Sequence, residues 1–429
     1  MGTGSVSAFL KKYTMVIALV VVFVFFSITT SGKILLPPNI NNLISQNGYV
    51  FVLGTGMLLC ILTGGNIDLS VGSVVCFTGG IGAIMMQRGL PWILAVIVML
   101  AVGLLVGMFQ GFWIAWVSVP PFIATLAGMY AFRGLSNVVM GGYSVGINDE
   151  TFLRVFGGGA DCYIPDFIGG RAASAASSVA AGAESVATAT ESAVTSAAAA
   201  VETTAQTAAS SSLNLTCLVA GIVIIAVFVL MSIKGIVSRQ KKGISSGNAA
   251  GEFIKVLIIS ALVLAITIKL AQYKGIPTVL IWIALILLIY GYVTSNTAIG
   301  RYFYAVGGNE KATRLSGVNT KLVYFIAYAN MGLLAGFAGI LAVARGGHAE
   351  PTYGMGYEMD AIASCFIGGA SAYGGVGKIT GVIIGASLMG VINQGMSIMG
   401  ISANYQSAVK GAVLLIAVLV DVLSKKEKA

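Results

Sequence analysis

Leu94-Ala95-Val96-Ile97-Val98-Met99-Leu100-Ala101-Val102-Gly103-Leu104-Leu105-Val106-Gly107-Met108 lies inside an apolar run, 91–118, that holds no charged residue. A spanning helix needs about 20 such residues, so this stretch alone reads as a membrane helix. Runs of the same kind fall at about 14–30, 41–62, 68–87, 121–141, 213–233, 253–271, 278–294, 322–344, 358–372, 379–400 and 405–421. The expected fold class is all-α, a polytopic integral membrane protein of about 10–12 transmembrane helices. The runs at 68–87 and 358–372 are Gly-rich and marginal, and each reads as a broken or re-entrant segment.

Composition supports this reading. Of 429 residues, 57% are hydrophobic and 9% charged, whereas a soluble domain carries roughly 25% charged residues. An ordinary soluble enzyme is excluded, and so is disorder, which requires low hydrophobicity. The 56 glycines suit closely packed membrane helices. A net charge of +9 points to cytoplasmic loops, where insertion collects basic residues, and no nucleic-acid partner is expected. Cys60, Cys76, Cys162, Cys217 and Cys365 form no CxxC pair, and His348 is the only histidine. Neither a metal site nor a disulfide framework is expected. Lys11 and Lys12 precede the first run as in a signal peptide. No small-residue cleavage site stands out before Gly32 and further spans follow, so a retained first helix is expected.

The charges also orient the chain. Lys11 and Lys12 precede the first span, and Lys425, Lys426 and Lys428 follow the last. Lys234, Arg239, Lys241 and Lys242 fill one loop; Arg301, Lys311, Arg314 and Lys321 fill another. Threading twelve spans puts all of them on one side, which the positive-inside rule makes cytoplasmic. The expectation is a multi-pass protein of the inner (cytoplasmic) membrane with both termini cytoplasmic. Its regions would be an N-terminal transmembrane part, 1–141, and an extracytoplasmic loop, 142–212. An additional transmembrane pair, 213–275, with a basic cytoplasmic loop would follow, and then a C-terminal part, 276–429, containing the cytoplasmic loop 295–321. The 142–212 stretch carries Asp149, Glu150, Asp161, Asp166, Glu184, Glu191 and Glu202 against Arg154 and Arg171. Within it, 172–212 is low-complexity Ala, Ser and Thr with almost nothing to bury. It reads as an external linker or marginal helix, or as an acidic surface for an external partner.

Catalytic chemistry is missing. A phosphate loop needs GxxxxGK[ST]. Gly374-Gly375-Val376-Gly377-Lys378-Ile379-Thr380 comes near, but Ala372 holds the first glycine position and Ile379 the Ser/Thr position. No GxSxG elbow or HExxH motif occurs. No catalytic residue, metal or cofactor is expected on this chain, and energy must come from a gradient or a separate subunit.

Three stretches stand apart. In Gly64-Gly65-Asn66-Ile67-Asp68-Leu69-Ser70-Val71-Gly72, a carboxylate near membrane depth marks either a path or a structural lock. Asp68 followed by Ser70 could also simply cap the next helix, and one residue can do both. The second stretch runs from Tyr357-Glu358-Met359-Asp360 to Gly369 and contains Cys365-Phe366-Ile367-Gly368-Gly369. It echoes Cys76-Phe77-Thr78-Gly79-Gly80, as an internal repeat would. The third is the loop Gly300 to Val318. It has a Gly307-Gly308 turn, then helical character from Asn309 to Ser316, with Gly317 as the C-cap. Ala312 and Leu315 would share one face and Lys311 and Arg314 another, a shape suited to a partner's groove.

These stretches together resemble the permeases of ribose-, galactose- and xylose-type ABC importers. Gly307-Gly308-Asn309 with Ala312 and Arg314-Leu315-Ser316-Gly317 resembles their coupling loop, and Asp68-Leu69-Ser70-Val71-Gly72 their first-half signature. Pro120-Pro121-Phe122-Ile123-Ala124-Thr125-Leu126 with Arg133-Gly134 is similar to a third stretch. Glu350-Pro351-Thr352, Tyr357 to Ala363, Gly374-Gly375 and Gly377-Lys378 are similar to a fourth. The resemblance covers about 40–140 and 275–423; the middle, 141–275, departs from simpler members and is similar to the multiple-monosaccharide branch.

The resemblance implies a transport subunit and not an enzyme: a permease homodimer in membrane lipid that takes up monosaccharides such as xylose, galactose, glucose or arabinose by alternating access. It implies a cytoplasmic ATP-binding ABC subunit, which carries ATP and Mg, and an extracytoplasmic sugar-binding protein. Gly307, Gly308, Asn309, Ala312, Arg314, Leu315, Ser316 and Gly317 would contact the ATPase. Asp68, Ser70, Gly72, Glu358 and Asp360 would lie near the pathway or its gates. The rival readings are a gradient-driven secondary carrier and a branched-chain amino acid ABC permease.

Overall fold

The computed structural model describes residues 3–159, 161–168, 213–241 and 249–426. The low-complexity stretch 172–212, Lys242 and Lys428 lie outside them, and with them the expectation for an external linker. In chain order the helices are α1 (Thr3–Thr29), α2 (Pro37–Gln46), α3 (Gly48–Leu62), α4 (Val71–Gln87), α5 (Trp92–Ala115), α6 (Pro121–Met140), α7 (Glu150–Phe156) and α8 (Leu215–Lys241). They continue with α9 (Ala249–Ala271), α10 (Thr278–Asn296), α11 (Ala298–Gly308), α12 (Glu310–Leu315), α13 (Thr320–Gly346), α14 (Tyr357–Ile367), α15 (Ile379–Ile398) and α16 (Ala403–Lys426). Two short strands, β1 (Val145–Gly146) and β2 (His348–Ala349), pair antiparallel. Among the described residues the chain is all-α apart from these.

Among the described residues, seven helices are long and apolar enough to cross a membrane, and four shorter apolar ones accompany them. The marginal runs resolve differently. In the first, Asp68 to Ser70 form a loop and α4 begins at Val71. In the second, α14 has 11 residues. At 1.5 Å per residue it spans about 16 Å, roughly half a hydrocarbon core. It is a broken segment. The basic run Lys234 to Lys241 continues α8 instead of forming a loop.

The chain packs as two units. One comprises residues 1–34, 42–162 and 278–429. Its centre is α3, buried almost continuously from Val50 to Leu62, and α13, which lies against α3, α4 and α5. The α5–α13 contact is a glycine seam. A Cβ at Gly107 would strike Tyr328 O, and one at Gly332 would strike Gly103 O. Small residues four apart let the two backbones meet, which is how membrane helices associate without a hydrophobic driving force between them. The outer helices are the reverse: Ile97, Leu105, Phe109, Val138 and Leu288 point their apolar side chains outward. Such a surface suits hydrocarbon and would be a liability in water.

The second unit comprises residues 35–41 and 163–277. Its α8 and α9 form an antiparallel pair, with Asn214 N donating to Ala271 O at 2.9 Å and Gly221 seated against Thr267. Asp166 accepts from the amides of Leu215 and Thr216 at 3.1 Å each, satisfying free donors at the start of α8.

Candidate functional site

The loop between α10 and α13 is built by local rules. Thr297 caps α11, its hydroxyl accepting from Gly300 N at 3.2 Å. Asn309 caps α12, its Oδ1 accepting from Ala312 N at 3.0 Å. Gly317, at φ +85°, ends it: Gly317 N donates to Arg314 O and Val318 N to Thr313 O. A left-handed residue just past the last turn favours glycine. The sequence placed this stop correctly but misread the start. Gly307 and Gly308 are the last turn of α11, not a turn of their own. Gly307 is there for close approach, since a Cβ would strike Leu62 O. Across that contact Gly375 N donates to Leu62 O at 3.0 Å, so the near-phosphate-loop glycines form a packed turn.

The loop helix is held at its root and free at its tip. Glu310 accepts from Thr320 Oγ1 and from Tyr324 OH, both at 3.2 Å, which fastens α12 to α13. Thr313 is buried. Lys311, Ala312, Arg314, Ser316 and Gly317 are exposed, and Leu315 is 88% exposed. Ala312 and Leu315 do present an apolar edge among cations. Beside it lies a cavity of about 440 Å³ lined by Asn66, Ser118, Glu310, Arg314, Lys321 and Tyr324, among others.

The five residues expected near a pathway separate into three places. Asp68 Oδ1 accepts from Ser70 N at 2.8 Å and Ser70 Oγ at 2.7 Å, closing a tight turn before α4. Gln110 on α5 joins them, donating to Ser70 Oγ at 2.7 Å. Gly72 and Glu358 come together across a backbone contact: a Cβ at Gly72 would strike Gly354 O and crowd the Glu358 carboxylate. Asp360 stands apart. It is fully buried and pairs with Lys410 on α16 at 2.8 Å, while Tyr49 OH donates to the same oxygen at 2.6 Å.

Sequence reading missed Lys410, Tyr49 and Gln110. Lys410 had a visible signal, a lone cation inside the apolar run 405–421, and such a charge needs a named partner. Tyr49 and Gln110 had none. Arg133 on α6, marked only through the resemblance, donates to Pro351 O at 3.0 Å and Tyr353 O at 2.7 Å. It fastens the segment that leads into α14. Among the described residues no cluster of His, Cys, Asp and Glu could hold a metal ion.

Comparison with known proteins agrees with this architecture. A family model described as "Branched-chain amino acid transport system / permease component" matches residues 39–161 and 167–418. The chain is 33% identical to the xylose transport system permease protein of Haemophilus influenzae, over 97% of this chain and 98% of that protein. It is 33% identical to the Escherichia coli xylose permease, over 99% and 95%. To the ribose import permease protein of Escherichia coli it is 30% identical, over 96% and 94%. No solved structure matches. The chain therefore belongs to the same permease family as these xylose and ribose permeases, and is a membrane transport subunit, not an enzyme.

Proposed function

We propose that this chain is the membrane permease of an ATP-driven monosaccharide importer that works by alternating access. Two copies would form the pathway, a cytoplasmic ATP-binding subunit carrying ATP and Mg would drive it, and an extracytoplasmic sugar-binding protein would deliver substrate. Both termini would be cytoplasmic. The observation that carries the reading is α12, a six-residue helix capped at both ends, fastened through Glu310, and presenting an almost fully exposed Leu315 between cations. A loop that only joined two helices would need neither the caps nor the apolar tip. An ATPase groove would cover Ala312 and Leu315, and its nucleotide-dependent closure would shift the permease between two states through differential contacts. The likeness to xylose and ribose permeases supports a sugar as cargo.

The test is co-purification from the native membrane in mild detergent, with uptake assayed alongside. An ATPase bearing a phosphate loop should accompany the wild type and be lost when Arg314→Ala and Gly317→Val are combined. Uptake should fail while membrane insertion persists. Recovery of the chain alone, or normal uptake by the double variant, would remove the coupling assignment. Competition by leucine in place of xylose, galactose, glucose or arabinose would favour the amino acid permease. Collapse of uptake by an uncoupler at constant ATP would favour a gradient-driven carrier.

A further inference from the structure

At the end of α13 away from α12 lies a second cavity, of about 270 Å³. Ser45, Gln46 and Tyr49 line it from one side, Arg345 from the end of α13, Tyr353 from the segment before α14 and Tyr357 from its first turn. We propose that this cavity is a subsite on the permease itself for a neutral monosaccharide in its pyranose form. The proposal rests on the sugar-importer reading above and gives that reading a place on this chain.

The chemistry of the lining carries the argument. A sugar ring has an apolar C–H face and a rim of hydroxyls, so its sites join aromatic faces with a few placed polar groups. Three tyrosines supply the rings. Two of them are fixed: Tyr49 and Tyr357 stack at 3.6 Å between centroids, 12° apart. The Tyr49 hydroxyl is held on Asp360, which the Lys410 ammonium secures from behind. A wall that is ordered before the ligand arrives loses little freedom on binding. Gln46 and Arg345 are planar groups able to meet two neighbouring hydroxyls at once. Ser45 Oγ is buried and has no hydrogen-bond partner. A buried hydroxyl without a partner is costly, and a ligand hydroxyl would satisfy it.

The same lining argues against other cargo. No carboxylate lines the cavity, so the ammonium of a zwitterionic amino acid would enter unpaired. The volume lies just under the roughly 300–1,000 Å³ typical of pockets for drug-sized ligands, which fits a single ring better than a disaccharide. The 27 residues of α13 separate the cavity from the loop helix by about 40 Å. Sugar and ATPase would therefore engage opposite ends of one buried helix.

The experiment uses the full-length chain in lipid nanodiscs without partners. Saturation-transfer-difference NMR measures binding of D-xylose and D-galactose, with L-leucine as competitor. The expected result is saturable sugar binding, untouched by leucine and weakened at least about tenfold by Gln46→Ala and by Tyr353→Ala. Ser45→Ala, a milder change, should weaken it by about threefold and serves if either larger substitution prevents folding. Equal affinity in wild type and variants would place the sugar elsewhere and overturn the proposal. Absence of binding, together with sugar uptake by the reconstituted complex, would overturn the subsite and leave the importer reading standing. Displacement by leucine would overturn both.

Discussion

The two ends of α13 solve opposite problems. At its start, Glu310, Arg314, Lys321 and Tyr324 surround an open cavity and a helix tip that faces outward. At its finish, Tyr49, Tyr353 and Tyr357 surround a smaller cavity backed by a buried ion pair. The first is held by hydrogen bonds between residues close in sequence, such as Glu310 with Thr320 and Tyr324. The second is held by residues far apart, Tyr49 with Asp360 and Asp360 with Lys410. An end assembled locally can move as a small body when a partner pulls on it. An end assembled from three helices resists until a buried charge is uncovered. The glycine seam between α5 and α13 joins both to one rigid element.

Substitutions can break that contrast, and the largest effect should come from the seam. Gly332→Leu would drive a side chain into the backbone at Gly103 and Gly107, which no rotamer change can relieve, and should prevent the seam from closing and so disable both ends together. Gel-filtration in detergent should show aggregate; a monodisperse, active variant would mean that the two ends do not share a rigid helix. Next is Lys410→Met, which leaves Asp360 buried and unpaired at a cost of about 3–5 kcal/mol. Thermal unfolding followed by tryptophan fluorescence should shift strongly downward, and Lys410→Met combined with Asp360→Leu should recover much of the loss. Co-purification of the ATPase by the surviving folded fraction should persist, because Lys410 belongs to the other end.

Smaller effects are expected at the loop. Asn309→Ala removes the cap of α12 and should cost about 1 kcal/mol locally. ATPase affinity should fall several-fold in a titration, with the melting temperature of the whole chain nearly unchanged. Glu310→Gln keeps its shape but weakens the two hydrogen bonds to Thr320 and Tyr324, by about 0.5–1.5 kcal/mol. Hydrogen exchange at Ala312 to Ser316 should quicken while exchange in α14 stays the same. Equal quickening in α14 would show that the ends are coupled more tightly than their packing suggests.

Much of this molecule follows from sequence alone. Runs such as 91–118 fix membrane helices, because in hydrocarbon only intrahelical hydrogen bonding satisfies the backbone. Asn309, Ala312 and Gly317 fix the loop helix, because caps and a left-handed stop act within a few residues. The Gly307-Gly308 turn was misplaced because those glycines serve a contact with Leu62 and Gly375, which lie far away in the chain. Asp68 reads in sequence as a path carboxylate or a cap of α4, but α4 has no side-chain cap and Asp68 closes a turn on Ser70 instead; Lys410 was legible as an odd charge. That Asp360 meets both Lys410 and Tyr49 was not legible, since 50 and 311 residues separate it from them. The tyrosine cavity likewise exists only where the end of α2, the start of α3, the end of α13 and the start of α14 converge. Local chemistry wrote the spans and the loop into the sequence, and the packing of distant helices alone decided which buried charges pair and where a cavity remains.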